Sequence, residues 1–240
     1  MSLNRKRIRA VLLKEFREYR RNSLIIGTMA VIPAVVIAIP LVVLLILPAS
    51  AAGSLSHDHF LLYLLAVPAV VPTVVAAYSV VGERQQGTLE PLLSTPVGRE
   101  EFLLGKALAA LAPSLAVSFL VYGIFIGCVS LFAQPTVASA VIQGPDIVTI
   151  ILFAPLMASW PIWAGFSISA RATDFRVAQQ LTTFASFPPI AAAALLAFNL
   201  IHASLALAIL GAAALLIFGG LGWRLMLASF DRERLITNTK

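Results

Sequence analysis

Apolar residues in this 240-residue chain form six long runs, and short stretches between them hold almost all of the charges. The runs cover residues 23–47, 60–81, 107–132, 147–169, 180–200 and 204–227. An apolar helix of about 20 residues crosses the hydrocarbon core of a bilayer, where its backbone must satisfy its own hydrogen bonds. Runs such as 35–47 do not alternate between apolar and polar positions, as strands of a membrane barrel do. The pattern predicts an all-α membrane protein, with six transmembrane helices in a single domain.

The Lys and Arg residues orient these predicted helices. All 17 lie before the first run, between the second and third, between the fourth and fifth, or at and beyond the end of the sixth. Cationic segments resist translocation and stay in the cytoplasm. We therefore expect a multi-pass protein of the cell membrane with both termini cytoplasmic, including the tail 228–240. The connections 48–59, 133–146 and 199–203 are then external.

Composition narrows the functional classes. Hydrophobic residues make up 60% of the chain and charged residues 12%, whereas charged residues make up about 25% of a soluble domain. The net charge of +6 is sorted by topology, which suits an anionic membrane surface and argues against nucleic-acid binding. Ala49-Ser50-Ala51 resembles a signal-peptidase site. However, the apolar run before it has 25 residues, whereas the apolar region of a signal sequence has about 7–15.

Residues 4–22 are predicted to form an amphipathic helix at the membrane surface. The residues of its apolar face recur at spacings of three to four positions and are Ile8, Val11, Leu12, Phe16 and Tyr19. Lys14 and Arg17 lie on another face, and Glu15 and Glu18 stand beside them. Mixed charge favours contact with protein over contact with lipid alone. The alternative is a helix that only anchors the topology.

Several predicted spans contain proline, which removes a backbone donor and favours a kink. The pairs Pro33 and Pro40, and Pro188 and Pro189, are candidates for helix kinks near a transport path. The alternative is that membrane helices tolerate proline without a functional reason. Because a doubled proline breaks a helix firmly, residues 181–202 either cross the membrane directly or dip and return on the outer side.

The connection between the second and third runs has an apolar stripe. Leu89, Leu92 and Leu93 are spaced as neighbours on one helix face, after a possible start at Gly87 and Thr88. Pro96 favours the end of this short helix, because the residue before proline is pushed out of the helical region. Leucines exposed on such a loop are expected to bind a partner. The alternative is that they dip into lipid headgroups.

From Glu83 to Lys106 the sequence reads E-x3-G-T-L-E-x-L-L-x-T-P-x-x-R-x-E-x-x-x-G-K. This string, with the amphipathic start and six spans, resembles the first intracellular loop of permease subunits of ABC-2 type transporters. The resemblance implies a coupling helix within 83–96 that docks into a cleft of an ATPase subunit, with the N-terminal helix beside it. It also implies that the first, second and fifth spans line the transport path. The implied docking residues are Glu83, Gly87, Thr88, Leu89, Glu90, Leu92, Leu93 and Pro96.

No phosphate loop of the form G-x-x-x-x-G-K-[ST] occurs in the sequence, since Gly105-Lys106 is followed by Ala107. We therefore expect a transport subunit that is not itself an enzyme and that holds no cofactor or metal. ATP and Mg²⁺ are expected in a separate cytosolic ABC ATPase, present in two copies. The resemblance further implies a second permease subunit, identical or homologous.

These features predict an ATP-driven exporter that works by alternating access. The residues available to line a path are apolar, which predicts a hydrophobic or amphipathic cargo. An ion-coupled secondary transporter is the alternative, although no ionisable residue lies near the centre of a predicted span. A structural or sensory subunit that moves no cargo is a further alternative. His57 and His59 could contact a metal ion outside, but solvated histidines are the favoured interpretation.

Overall fold

The computed structural model describes residues 4–87, 98–201 and 204–229. Within them there is no strand, and six helices are long and apolar enough to cross a membrane. These helices are called spans 1 to 6: Ser23–Ile46, Phe60–Gln85, Arg99–Phe132, Gly144–Ser169, Phe175–Ala197 and Ala206–Leu227. The predicted all-α fold with six apolar helices is thus confirmed. Short helices Ala52–Leu55 and Pro135–Val141 lie in the first and third connections.

The amphipathic start forms an N-terminal helix, Arg5–Arg21. Only Asn22 separates it from span 1, and Asn22 has an extended backbone conformation. The side-chain oxygen of Asn22 accepts hydrogen bonds from the backbone N–H groups of Leu24 (3.1 Å) and Ile25 (3.4 Å). A side chain that accepts from these otherwise unpaired donors caps the new helix. The chain therefore turns sharply at Asn22 into the first span.

The six spans alternate in direction, as contacts at both ends show. At one end Arg84 donates to the carbonyls of Ala170 (3.1 Å) and Ala172 (2.8 Å) and so neutralises the negative end of span 4. At the other end Asn199 Nδ2 donates to the carbonyl of His57 at 3.2 Å. The Lys and Arg residues of the described ranges all belong to segments at the first of these ends. We call it the basic end.

Span 2 lies at the centre of the bundle. In its apolar 18-residue stretch 83% of the residues are buried, whereas the buried share of the corresponding stretch is 22% in span 1 and 6% in span 6. It is assembled from a 3-10 segment Phe60–Leu65 and two helices, Ala66–Val70 and Pro72–Gln85, and it packs against spans 4 and 5. Spans 1 and 6 lie at the periphery and leave apolar faces open to lipid or to another protein.

Span 5 consists of two helices, Phe175–Ala185 and Phe187–Ala197, which meet at Ser186. Pro189 has no N–H to donate to the carbonyl of Ala185, four residues earlier. The indole Nε1 of Trp160 in span 4 donates to that carbonyl instead, at 2.6 Å. Span 5 begins after the end of span 4 and finishes beside His57, so it crosses the bundle directly. Of the two alternatives for residues 181–202, the structure therefore has the direct crossing.

The two predicted proline pairs differ in their effect on the helices that contain them. Helix Ser23–Ile46 continues through Pro33, which is buried, and Pro40, which is half-buried. Pro188 and Pro189 come directly after the break at Ser186, with Pro189 buried and Pro188 exposed. Only the doubled proline therefore coincides with a break between two helices. Whether either pair borders a transport path stays a prediction.

Span 3 is one continuous helix of 34 residues. The sequence predicts a span that begins at residue 107, but the helix begins eight residues earlier, at Arg99. At 1.5 Å per residue the helix is about 51 Å long, whereas the hydrocarbon core is about 30 Å thick. Its first turns therefore extend beyond the apolar layer at the basic end, where the N-terminal helix packs against them.

Candidate functional site

A single carboxylate joins the beginnings of the N-terminal helix and span 3. Glu101 accepts from the backbone N–H of Asn4 at 2.8 Å and from that of Gly98 at 3.0 Å. Asn4 and Gly98 are the residues that precede the two helices. An acid at the positive end of a helix dipole is stabilising, and Glu101 serves two such ends. Arg7 approaches the same carboxylate at 3.4 Å.

One turn further along, the two helices come close together at Gly105. A Cβ atom on Gly105 would lie 2.8 Å from Val11 Cβ and 3.1 Å from the carbonyl oxygen of Ile8. Only a glycine fits there without a shift of one helix. The contacts advance in the same direction along both helices, so the N-terminal helix runs beside the first turns of span 3.

Five charged side chains then form what we call the basic-end ion cluster: Lys14, Glu15, Glu18, Glu83 and Lys106. The ammonium of Lys106, 1% exposed, lies 3.0 Å from a carboxylate oxygen of Glu15 and 3.0 Å from one of Glu83. Lys14 lies 2.6 Å from Glu83, 2.9 Å from Glu18 and 3.1 Å from Glu15. The cluster therefore joins the N-terminal helix to span 2 through Glu83 and to span 3 through Lys106.

Opposite charges within the cluster favour the ionised forms of Glu15 and Lys14. Burial alone would raise the pKa of the Glu15 carboxyl, but the positive charges of Lys106 and Lys14 outweigh it and keep that pKa below its ordinary value. Burial likewise opposes the charge of Lys14, yet Glu15 and Glu83 raise its pKa above the ordinary value. Tyr19 Oη donates to Glu15 at 3.2 Å. At neutral pH Glu15 is thus a buried ion that is paired with two ammonium groups.

The three acids of the cluster could in principle hold a cation, because ligand oxygens of Glu15, Glu18 and Glu83 lie within 4.8 Å of one another. Both lysines contact Glu15 and Glu83, and Lys14 also contacts Glu18. The acids are therefore already neutralised largely by Lys14 and Lys106. The arrangement favours a structural connection between helices over a metal site.

Side chains of spans 3 and 4 hydrogen-bond to backbone groups of span 2 beside this cluster, where the helix Pro72–Gln85 is continuous. Ser169 Oγ in span 4 donates to the carbonyl of Ala77 at 2.6 Å and accepts from the N–H groups of Val80 (3.1 Å) and Val81 (3.0 Å). Lys106 Nζ donates to the carbonyl of Ser79 at 2.7 Å. These bonds attach span 2 to spans 3 and 4 just before Glu83.

Replacing Ser169 with Ala is expected to lower the free energy of unfolding by about 1–3 kcal/mol, because buried backbone groups of span 2 lose their partner. Thermal unfolding of the purified protein in detergent measures the loss. Ser167→Ala is the matched control, since the Ser167 hydroxyl bonds only to the carbonyl of Trp163 in its own helix, at 2.9 Å. Equal effects of the two substitutions would show that the bridge to span 2 contributes nothing.

The predicted docking residues divide into two groups. Glu83 is 2% exposed and bound within the ion cluster, so it faces the interior of the protein and not a docking surface. Gly87 is exposed with a φ of +67°, which suits glycine at the start of the loop. The remaining docking residues lie outside the described part of the chain: Thr88, Leu89, Glu90, Leu92, Leu93 and Pro96.

The predicted residues of the N-terminal helix also separate. Glu15 is buried and Lys14 half-buried, and both bind acids or amines of this same chain. Phe16 is half-buried against the apolar core, while Arg17 is exposed. The mixed charges of the N-terminal helix predicted a contact with protein, and spans 2 and 3 of the same chain form that contact. Lys106, which contacts both Glu15 and Glu83, was not identified from the sequence. Its position after Glu100 and Glu101 at the edge of a predicted span was a signal that could have indicated it.

At the opposite end, His59 is not simply solvated. Its Nδ1 lies 2.9 Å from a carboxylate oxygen of Asp146, which is 3% exposed at the beginning of span 4. Gln143 Nε2 donates to the carbonyl of Asp58 at 3.3 Å. The nearby His57 Nδ1 contacts the carbonyl of Gly53 at 2.9 Å. The contacts of Asp58 and His59 attach the first connection to span 4, and the contact of His57 lies within that connection. Both histidines therefore have structural partners.

Comparison with known proteins agrees with this architecture. The family model described as ABC-2 family transporter protein matches residues 11–188, from the N-terminal helix to the break in span 5. No curated protein matches the sequence. The matched range contains the whole basic-end ion cluster and covers well over half of the chain. The chain therefore belongs to the ABC-2 transporter family.

Proposed function

We propose that this chain is the permease subunit of an ATP-driven exporter, powered by a cytosolic ATPase that docks at the basic end. The observation that carries the proposal is the basic-end ion cluster. It connects the N-terminal helix to Glu83 and Lys106, the two residues that bracket the connection between spans 2 and 3. A force applied to that connection would reach three helices at once.

The proposed orientation places the basic end in the cytoplasm. Lys and Arg of the described ranges gather there, and cationic segments stay on the cytoplasmic side of a membrane. Both termini are then cytoplasmic, as the sequence predicts. His59 and Asp146 face the outside in this orientation.

Coupling would begin at the loop 88–97. Closure of the ATPase on bound nucleotide displaces the leucine-bearing segment, and the displacement passes through Glu83 into span 2. Span 4 receives the displacement from span 2 through Ser169, which is hydrogen-bonded to the carbonyl of Ala77. Lys106 moves span 3 and the N-terminal helix together with it. ATP binding then favours an outward-facing state by its differential affinity for that state.

The permease itself would contribute no nucleotide chemistry. Members of the ABC-2 family generally work with a cytosolic ATPase, which would bind ATP and Mg²⁺. We propose two ATPase copies and a second permease subunit, which surround a path with twelve spans. Because span 2 is largely buried within its own chain, spans 1 and 5 offer the more accessible faces to such a path.

The cargo is proposed to be hydrophobic or amphipathic. Most exposed side chains on spans 1 and 5 are apolar, including Val35, Ile39 and Phe184, whereas the exposed polar residues Arg176 and Gln180 lie in the first turns of span 5 at the basic end. A path of such residues offers no compensation for a desolvated ion. An exporter of small inorganic ions would need polar groups along these faces.

The test is recovery of the ATPase with the tagged permease. Leu92→Asp with Leu93→Asp is expected to lower the recovered ATPase and ATP-dependent transport by about tenfold or more, since burying two unpaired carboxylates in a docking cleft exceeds 1.4 kcal/mol. Ser54→Asp with Ser56→Asp, two exposed positions at the opposite end, is the matched control.

Unchanged association and transport in the Leu92, Leu93 variant would refute the coupling assignment. Transport by the permease alone in vesicles, without any ATPase, would favour the ion-coupled alternative. Association with an ATPase but no transported cargo would favour a structural or sensory subunit.

A further inference from the structure

A deep groove lies between the N-terminal helix, span 1 and span 3. It encloses about 840 Å³, within the range of about 300–1,000 Å³ that is typical of ligand pockets. Its walls are almost entirely apolar, with Ile25, Met29 and Ile37 from span 1 opposite Pro113, Val121 and Ile124 from span 3.

The polar groups of the groove are confined to one mouth. Arg17 and Arg20 line it at the end of the N-terminal helix, where the chain turns into span 1. They are three residues apart and so are neighbours on one helix face. Both are exposed. Among the described residues that line the groove there is no carboxylate, and the nearby Glu18 binds Lys14 instead.

The groove is about one leaflet deep. From Ile25 to Ile37 span 1 rises by about 18 Å at 1.5 Å per residue, which is somewhat more than half of a hydrocarbon core of about 30 Å. Arg17 and Arg20 line the groove at the end of the N-terminal helix, shortly before the apolar span begins. An occupant must therefore be anionic at the mouth and apolar along a length close to that of an acyl chain.

We propose that this groove binds an anionic phospholipid from the leaflet at the basic end. One acyl chain lies between spans 1 and 3, and the phosphate sits between Arg17 and Arg20. Guanidinium groups suit phosphate oxygens because they donate in a fixed planar geometry. None of the five residues of the ion cluster lines the groove. It is also independent of the proposed coupling to an ATPase.

Native mass spectrometry of the purified full chain tests the proposal. The protein is titrated with phosphatidylglycerol or with phosphatidylcholine that carries the same acyl chains. We expect at least about tenfold more phosphatidylglycerol to be retained, since basic residues at a membrane surface attract anionic lipid. Arg17→Gln with Arg20→Gln is expected to reduce that retention to the phosphatidylcholine level. Arg5→Gln with Arg9→Gln removes the same charge from exposed positions of the same helix outside the groove and should change nothing.

A second pair of variants tests the apolar walls. Ala30→Phe with Ala34→Phe fills the groove from span 1 and is expected to abolish retention of the lipid, whereas Val31→Phe, an exposed position outside the groove, should not. Equal retention of the two lipids would overturn the proposal, as would equal loss in both arginine pairs. A dimer that dissociates on filling the groove, with no lipid bound, would also overturn it and would identify a second copy of the chain as the occupant.

Discussion

Replacement of Lys106 by Met is expected to lower the free energy of unfolding by about 3–5 kcal/mol, the cost of breaking a buried ion pair by removing one partner. Glu15 and Glu83, both 2% exposed, would then depend on Lys14 alone for neutralisation. Met fills nearly the same volume as the aliphatic part of Lys, so the effect reports charge and not packing. Thermal unfolding of the purified protein, followed by circular dichroism, measures it.

Two further variants make this prediction specific. Lys6→Met removes an exposed lysine from the N-terminal helix and should change the unfolding temperature little, because exposed charges contribute about 0–1 kcal/mol. Glu83→Gln combined with Lys106→Met removes one charge of each sign and should restore part of the stability. If the double variant is less stable than Lys106→Met by the full effect of Glu83→Gln, the two groups do not interact.

The sequence was sufficient for the parts of this fold that depend on local composition. A run of about 20 apolar residues has few alternatives to a membrane helix, so all six spans were predictable. The amphipathic spacing of Val11, Phe16 and Tyr19 likewise predicted the N-terminal helix. Pro188 and Pro189 predicted a break in span 5, because their missing N–H groups act on their own helix regardless of the neighbours.

The sequence was insufficient where a side chain finds its partner across the bundle. Glu83 stands in a loop motif, and an acid there has the same sequence signature whether it docks a partner or is buried against Lys106. Ser169 bonds to Ala77, 92 positions away, and no local spacing encodes that pairing. From the sequence alone His59 is a loop residue, and its contact with Asp146 is evident only in the folded chain. Such roles are fixed by packing, which periodicity alone does not specify.

Gly165→Val is expected to disrupt the packing of spans 2, 4 and 5. A Cβ atom on Gly165 would lie 2.5 Å from Ala76 Cβ in span 2, 2.8 Å from Thr182 Cγ2 in span 5 and 3.2 Å from the backbone carbon of Ala76. Overpacking usually costs about 1–3 kcal/mol and occasionally more. Here backbone must move as well, so we expect at least about 3 kcal/mol and a clear loss of monodisperse protein in size-exclusion chromatography.

Gly123→Val in span 3 is the matched control, since no atom approaches the corresponding Cβ position within 4 Å. Gly165→Ala combined with Ala76→Gly moves the methyl group to the opposite helix and should recover part of the stability. Full stability of Gly165→Val would show that spans 2, 4 and 5 can separate at low cost. The glycine contact would then contribute little to holding them as one body. If the substitution has the expected effect, the contact at Gly165 holds these three spans together, and the ion cluster connects span 2 to span 3 and to the N-terminal helix.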